Sequence, residues 1–293
     1  MRRHLRGILV VLLVLAAAPC FAQNAPDERT ITVFGRTIHY WDVGSGPVVV
    51  LLHGLGSRKE DWLPVIPELS RKYRLLVPDQ IGFGQSDKPL LDYSVQTWVD
   101  FLDQFLREMH VTKPTLVGES LGGWIGALYA VEVSSNDHMV PIDKLMLVDA
   151  AGLKRNAPIP NLNPGSLAEM RRVMELVFYD TSWLDDATLH KIFTDKLSTN
   201  DGYTVHSFLA NPRIEAERVD DRLGDIHAPT LIIWGKQDQL VSLDAGNRYA
   251  QGIAGAHMVA FDKCGHAPPA EHTAEFLAAV EAFLSGAAIP AGN

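Results

Sequence analysis

The chain has 293 residues, of which 47% are hydrophobic and 21% charged, and its formal net charge is −9. That composition supports a substantial buried core and excludes a disordered chain. No basic run crosses the body of the chain, which argues against nucleic acid as a partner, because phosphate binding needs clustered Lys and Arg.

Residues 1–22, MRRHLRGILVVLLVLAAAPCFA, set Arg2, Arg3 and Arg6 ahead of an unbroken apolar run from Gly7 to Ala18. The run is short for a bilayer span. Cys20 and Ala22 place small side chains one residue apart, as a signal peptidase requires, so the segment reads as a cleaved secretory signal and the protein as secreted or periplasmic. An uncleaved anchor is the alternative. A lipid-modified Cys20 fits less well, because Pro19 precedes it. Cleavage after Ala22 removes three arginines and takes the charge from −9 to −12. It also leaves Cys264 as the single cysteine, so the mature protein, expected to be free of the membrane, holds together without an internal disulfide.

From Thr30, TITVFGRTIHYWDVGSG reads as two short strands joined at Gly35. PVVVLL (47–52) is a continuous apolar run, the pattern of a strand buried on both faces, and YRLLVPD (73–79), PTLVGE (114–119), KLMLVDA (144–150) and PTLIIWG (229–235) repeat it. A further strand is expected near 256–262. Amphipathic helices lie between. The clearest is 95–109, where Val95, Trp98, Val99, Leu102, Phe105, Leu106 and Met109 share a face. The alternation predicts an α/β fold with a mostly parallel sheet covered by helices. Residues 152–222 interrupt it with Pro158, Pro160 and Pro164 and with helical stretches at 166–178, 185–197 and 213–222. They read as a helical cap inserted into a core of 30–151 and 223–286.

The strand at 114–119 runs straight into Ser120, with Gly118 and Gly122 two residues to either side. A serine on a sharp strand-to-helix turn presents its hydroxyl above the sheet, and only small neighbours fit such a turn. The Leu121 amide at the helix start can then donate to a developing oxyanion. The base expected is His266, in a loop between the last strand and the last helix. His53 reads as structural and His272 as the start of the final helix, and the remaining histidines imply no partner. No pair has zinc-ligand spacing, so neither a metal nor another cofactor is expected. The acid expected is Asp238, after a strand and a tight turn. Asp149, ending the preceding strand, is its competitor, and Asp225 lies too early. HGLG (53–56) after the strand at 47–52 offers the Leu55 amide as a second oxyanion donor.

HGLG (53–56), DQIGFGQSDKP (79–89), GESLGG (118–123), GKQDQLV (235–241) and GHAPPAEH (265–272) together resemble the α/β-hydrolase family, in its capped esterase, lipase and carbon–carbon hydrolase group, over residues 30–285. The resemblance implies an eight-stranded sheet and gives Asp79 and Ser86 supporting roles near the site. An aspartate in place of Ser120 would have marked a dehalogenase or epoxide hydrolase. Carbon–carbon hydrolases of ring-fission products often carry Asn before the serine and Trp after the histidine, where this chain has Glu119 and Ala267. The charged stretch at 185–201 suggests a soluble substrate.

The reading is a secreted serine hydrolase using Ser120, His266 and Asp238 on carboxylic esters of small to medium size. Its alternatives are a carbon–carbon or lactone hydrolase with the same residues, and a non-catalytic receptor on the same scaffold. Trp124, Met170, Phe178 and Trp183 are candidate wall residues, with core packing the favoured role for Trp124. Oligomeric state is left open.

Overall fold

The computed structural model describes residues 26–155 and 159–292. The expected signal at 1–22, with Cys20, lies outside the described residues.

Eight strands form one sheet: β1 (Glu28–Val33), β2 (Arg36–Val43), β3 (Val48–Leu52), β4 (Arg74–Pro78), β5 (Thr115–Glu119), β6 (Lys144–Val148), β7 (Thr230–Gly235) and β8 (His257–Phe261), in spatial order β1-β2-β4-β3-β5-β6-β7-β8. β1 and β2 pair antiparallel, as do β2 and β4. Every other pairing is parallel, with Leu52 opposite Gly118 and Gly118 opposite Leu147. The apolar runs divide by the two-residue period of a strand. Val50 and Leu52 face one core with Trp98 and Leu128, whereas Val49 and Leu51 face the other with Trp62, Phe276 and Val280.

Among the described residues the α-helices are α1 (Ile66–Leu69), α2 (Val95–Glu108), α3 (Leu121–Val133), α4 (Leu167–Val177), α5 (Asp186–Thr199), α6 (Gly202–Ala210), α7 (Leu243–Gly252), α8 (Pro268–Glu271) and α9 (Thr273–Ser285). α2 starts at a capping box in which Ser94 and Thr97 satisfy each other's backbone amides. Its expected face is buried from Val95 to Leu106, while Met109 caps the end. α3 is apolar all round and buried along nearly its whole length, which fixes the backbone that follows Ser120.

The insertion between β6 and β7 departs from expectation in two places. α6, GYTVHSFLA, was not foreseen as a helix. Its Phe208 packs edge-on against Trp98 at 5.2 Å and Trp124 at 6.0 Å, so tertiary contact stabilises a short and weakly patterned segment. The stretch 213–222 is no α-helix but parts of two 3-10 turns, Pro212–Glu215 and Asp220–Asp225. There the chain is engaged from outside: Val219 donates its amide to Gly152, Arg218 its guanidinium to Leu153, and Glu217 accepts the Val95 amide at 2.7 Å. Each of these bonds draws the segment towards a neighbouring element instead of its own helical ladder.

Candidate active site

β5 delivers the chain to Ser120 with φ 54° and ψ −113°, a conformation in which a residue bearing a Cβ is strained. Its neighbours hold it there. The Ser120 amide donates to Val148 at 2.9 Å, and its carbonyl accepts from Trp124 at 3.1 Å and Ala151 at 3.0 Å. Both flanking glycines are required for packing. A Cβ on Gly118 would stand 2.1 Å from the Gly122 carbonyl oxygen, and one on Gly122 would stand 2.2 Å from that of Leu52. The Leu121 amide heads α3, where the first N–H groups of a helix lack intrahelical acceptors.

His266 lies between β8 and α8, buried, with Nδ1 2.6 Å from Asp238 Oδ2. The other Asp238 oxygen accepts the amides of Leu240 at 2.7 Å and Val241 at 2.9 Å, so the carboxylate is locked in the turn after β7. Burial disfavours the imidazolium, yet the Asp238 charge and hydrogen bond, with Glu119 and Glu271 beyond, hold the ring above its ordinary pKa. Asp238 pairs with Nδ1 and leaves Nε2 outside that bond. No hydrogen bond joins the Ser120 hydroxyl to the ring among the described residues. Such bonds are often long before substrate arrives and tighten in the complex.

Asp149, the competing acid, is fully buried with φ 43°. It does not cap the loop into the insertion. One oxygen accepts the Gly235 amide of β7 at 2.9 Å, and the other has no partner among the described residues. Burial and the Asp238 charge push its carboxyl well above the carboxylate range. One atom each of Asp149, Asp238 and His266 fall within 4.8 Å of one another. The three are the base and the two competing acids expected from the sequence, and among them His266 and Asp238 are bonded to each other.

His53 is structural, as expected. The Gln80 amide donates to Nε2 at 3.1 Å, so the proton sits on Nδ1, which bonds the Gly54 carbonyl at 2.9 Å, and burial keeps the ring neutral. Gln80 also donates its side-chain amide to the His53 carbonyl, tying the 79–89 loop to HGLG. Asp79 and Ser86 brace that loop: Asp79 pairs with the wholly buried Lys59 at 2.7 Å, and Ser86 donates to the Asp79 carbonyl at 2.6 Å. Neither Lys59 nor Glu271 was foreseen. Glu271 accepts the Gly265 amide at 2.8 Å and the Tyr179 amide at 2.7 Å, stitching the histidine loop to the insertion.

A cleft opens at Ser120. Leu55, Leu121 and Trp124 form its floor, and Ile159, Leu162 and Phe208 of the insertion stand opposite. Among the described lining residues Arg155 is the one charged side chain, in a mostly apolar wall. Of the expected wall residues only Trp124 contributes, and it is core as well. Met170 packs with Leu184 and Leu189 in a small separate cluster, and Phe178 pairs with the half-exposed Trp183. Asp185 caps α5, Asp195 pairs with Lys191, and Lys196 with Asp201.

Glu119 lies against the pair from β5. Burial lifts its carboxyl to about 8, with the His266 charge opposing. A raised folded-state pKa favours the protonated form, so the stabilisation is present below the ordinary value of 4.5 and lost as pH rises through about 8. Glu119→Gln is therefore expected to melt close to the native chain at about pH 5 and to be more stable by about 1–2 kcal/mol at about pH 9. Thermal melts at both pH values check this, and an equal offset at both would refute it.

The chain and its fold resemble those of known proteins. The alpha/beta hydrolase family profile matches residues 49–280. The 2-hydroxymuconate semialdehyde hydrolase of Pseudomonas sp. strain CF600 is 31% identical over 90% of this chain and 96% of its own. A 2-hydroxy-6-oxononadienedioate/2-hydroxy-6-oxononatrienedioate hydrolase of Cupriavidus pinatubonensis is 32% identical over 89% of this chain and 96% of its own. The solved meta-cleavage product hydrolase of Pseudomonas fluorescens IP01 superposes with a TM-score of 0.81 at 28% identity, covering 88% of this chain and 97% of that one. With the sheet order, the strained serine turn and the match along most of the chain in agreement, this protein is a hydrolase belonging to the α/β-hydrolase family.

Proposed function

We propose that the protein is a serine hydrolase that cleaves the carbon–carbon bond of a keto acid of the meta-cleavage class, with Ser120 as nucleophile, His266 as base and acid, and Asp238 orienting the ring. The observation that carries the substrate class is Arg155: a cation in an apolar cavity beside Ser120 selects a substrate with a carboxylate at one end and an apolar body. Burial and the Arg218 charge disfavour the Arg155 cation, and the Asp238 charge opposes them. The names of the relatives describe such molecules, semialdehydes and 6-oxo acids of conjugated chains.

Ser120 Oγ attacks the ketone carbon and its proton passes to His266. The tetrahedral oxyanion forms between the Leu55 and Leu121 amides. As the carbonyl reforms, the carbon–carbon bond breaks and its electron pair leaves on the carbon side. Tautomerisation of the 2-hydroxy-diene to its 2-oxo-3-ene form, with a proton moving from the enol oxygen to C5, precedes this step, so the pair is delocalised as a dienolate, and His266 returns the proton. Water, deprotonated by His266, then releases the acyl group from Ser120.

The test is turnover of a 2-hydroxy-6-oxo-dienoate beside a series of p-nitrophenyl esters. The expected result is faster cleavage of the dienoate, with a KM that rises about 10–100-fold in Arg155→Met, the loss of one charge-assisted contact. Inertness toward the dienoate with fast ester turnover favours the second reading, an ester or lactone hydrolase. That reading draws on Glu119 and Ala267, which stand where carbon–carbon hydrolases often carry Asn and Trp. Export is proposed from residues 1–22, and sequencing the mature N-terminus, expected at Gln23, checks it.

A further inference from the structure

We propose that Lys196 is a positioning residue that couples the helical insertion to the oxyanion loop, so that docking of α5 fixes the direction of the Leu55 amide. Lys196 stands in the last turn of α5 with its side chain 11% exposed. Its ammonium donates to the Gly56 carbonyl at 2.9 Å and to both carboxylate oxygens of Asp201 at 2.8 Å. Asp201 is itself 2% exposed and sits at the start of α6.

Gly56 follows Leu55 directly and has φ 69°. The place its side chain would take is closed by Lys196 Nζ at 3.0 Å, Val205 Cγ2 at 3.6 Å and the Leu162 carbonyl oxygen at 3.8 Å. Three separate parts of the insertion therefore bear on one residue of the turn. Within the turn, the Ser57 amide reaches the Gly54 carbonyl only at 3.3 Å. The core anchors the other end of the loop, through His53 and Gln80. Lys196 thus supplies the charge-assisted hold on the end that faces substrate.

A buried ion pair is a weak source of net stability, because desolvation offsets the attraction. What this pair provides is a fixed point. An ammonium held by Asp201 can tether the Gly56 carbonyl in one orientation, and small misplacements of an oxyanion donor slow catalysis sharply. Cap seating and catalytic competence then become one event: with α5 displaced, the turn loses its tether while Ser120, His266 and Asp238 stay in place on the sheet.

The inference rests on the Leu55 amide of the proposed mechanism but not on the carbon–carbon substrate, since any acyl substrate of Ser120 reports on it. Lys196→Met is compared with Asp201→Asn and with the double variant K196M/D201L, which leaves no buried charge unpaired. Measured are kcat and KM on p-nitrophenyl acetate, the rate of Ser120 labelling by a fluorophosphonate, and the melting temperature. Loss of the tether is expected to lower kcat and labelling together by about tenfold or more in Lys196→Met and in the double variant, with KM within about threefold. Asp201→Asn keeps the ammonium on Gly56 and is expected to hold kcat within about threefold of native, although its melting temperature falls. Should Lys196→Met not fold, the double variant carries the comparison. Native kcat in a folded variant lacking Lys196 overturns the proposal, as does a loss in Asp201→Asn that matches the loss in Lys196→Met. Turnover that survives Ser120→Ala would instead remove the mechanism itself.

Discussion

Ser120→Ala is expected to lower kcat by about 10⁴–10⁶-fold on whichever acyl substrate the enzyme turns over, while substrate still binds. The reason is local. No other hydroxyl lines the described wall of the cavity, and the oxyanion donors alone leave only a small residual rate. Ser120→Gly should be equally inactive and yet melt higher. Glycine adopts φ 54° freely, so the variant releases strain that the native turn stores, worth about 1–3 kcal/mol. Kinetics on both variants, with their melting curves, check the pair of statements. Activity within tenfold of native in either would sink the nucleophile assignment, and an unchanged melting temperature in Ser120→Gly would show that the turn is relaxed.

The second large effect is expected at the acid. Asp238→Asn should lower kcat by about 10⁴-fold, because an amide cannot stabilise the imidazolium and can present a donor where the ring needs an acceptor. The acid limb of the pH profile should move down at the same time. His266 must be neutral to act as base, Asp238 raises its pKa, and without that carboxylate the ring stays neutral to lower pH. Asp149→Asn is the control that separates the two acids. Asp149 bonds Gly235, not the ring, so its amide should retain most of the turnover and leave the acid limb near its native position. A pH–rate series on native, Asp238→Asn and Asp149→Asn decides the matter. A larger loss in Asp149→Asn than in Asp238→Asn would reverse the roles.

Much of this was legible from local pattern. The β-branched runs at 48–52, 115–119, 144–148 and 230–235 are strands because residues buried on both faces need no polar alternation. The turn at Ser120 was legible because steric exclusion acts between near neighbours: Gly118 and Gly122 touch each other and the next strand. Asp238 could be placed because the end of β7 and the start of α7 bracket it within a few residues. The substrate was not legible in the same way. It depends on what the insertion sets above Ser120, and the charges of 185–201 that suggested a soluble substrate are occupied in caps and ion pairs of the fold.

What the sequence alone determined is the α/β architecture and the sharp turn at Ser120, and it put forward His266 and Asp238, which the fold brings into hydrogen-bond contact. Each is written in short-range signals: strand periodicity, glycines at fixed offsets, and a polar residue just beyond a strand. Tertiary structure decided the rest. It alone buries Lys59 against Asp79, sets Asp149 beside the His266–Asp238 pair, brings Arg155 to the cleft at Ser120, and lays Lys196 on Gly56. Those contacts join residues from distant parts of the chain, and a charge looks the same in sequence whether it meets water or a buried partner. Only the folded chain fixes how much solvent each charge loses and which opposite group replaces it, and that balance sets the chemistry each one performs.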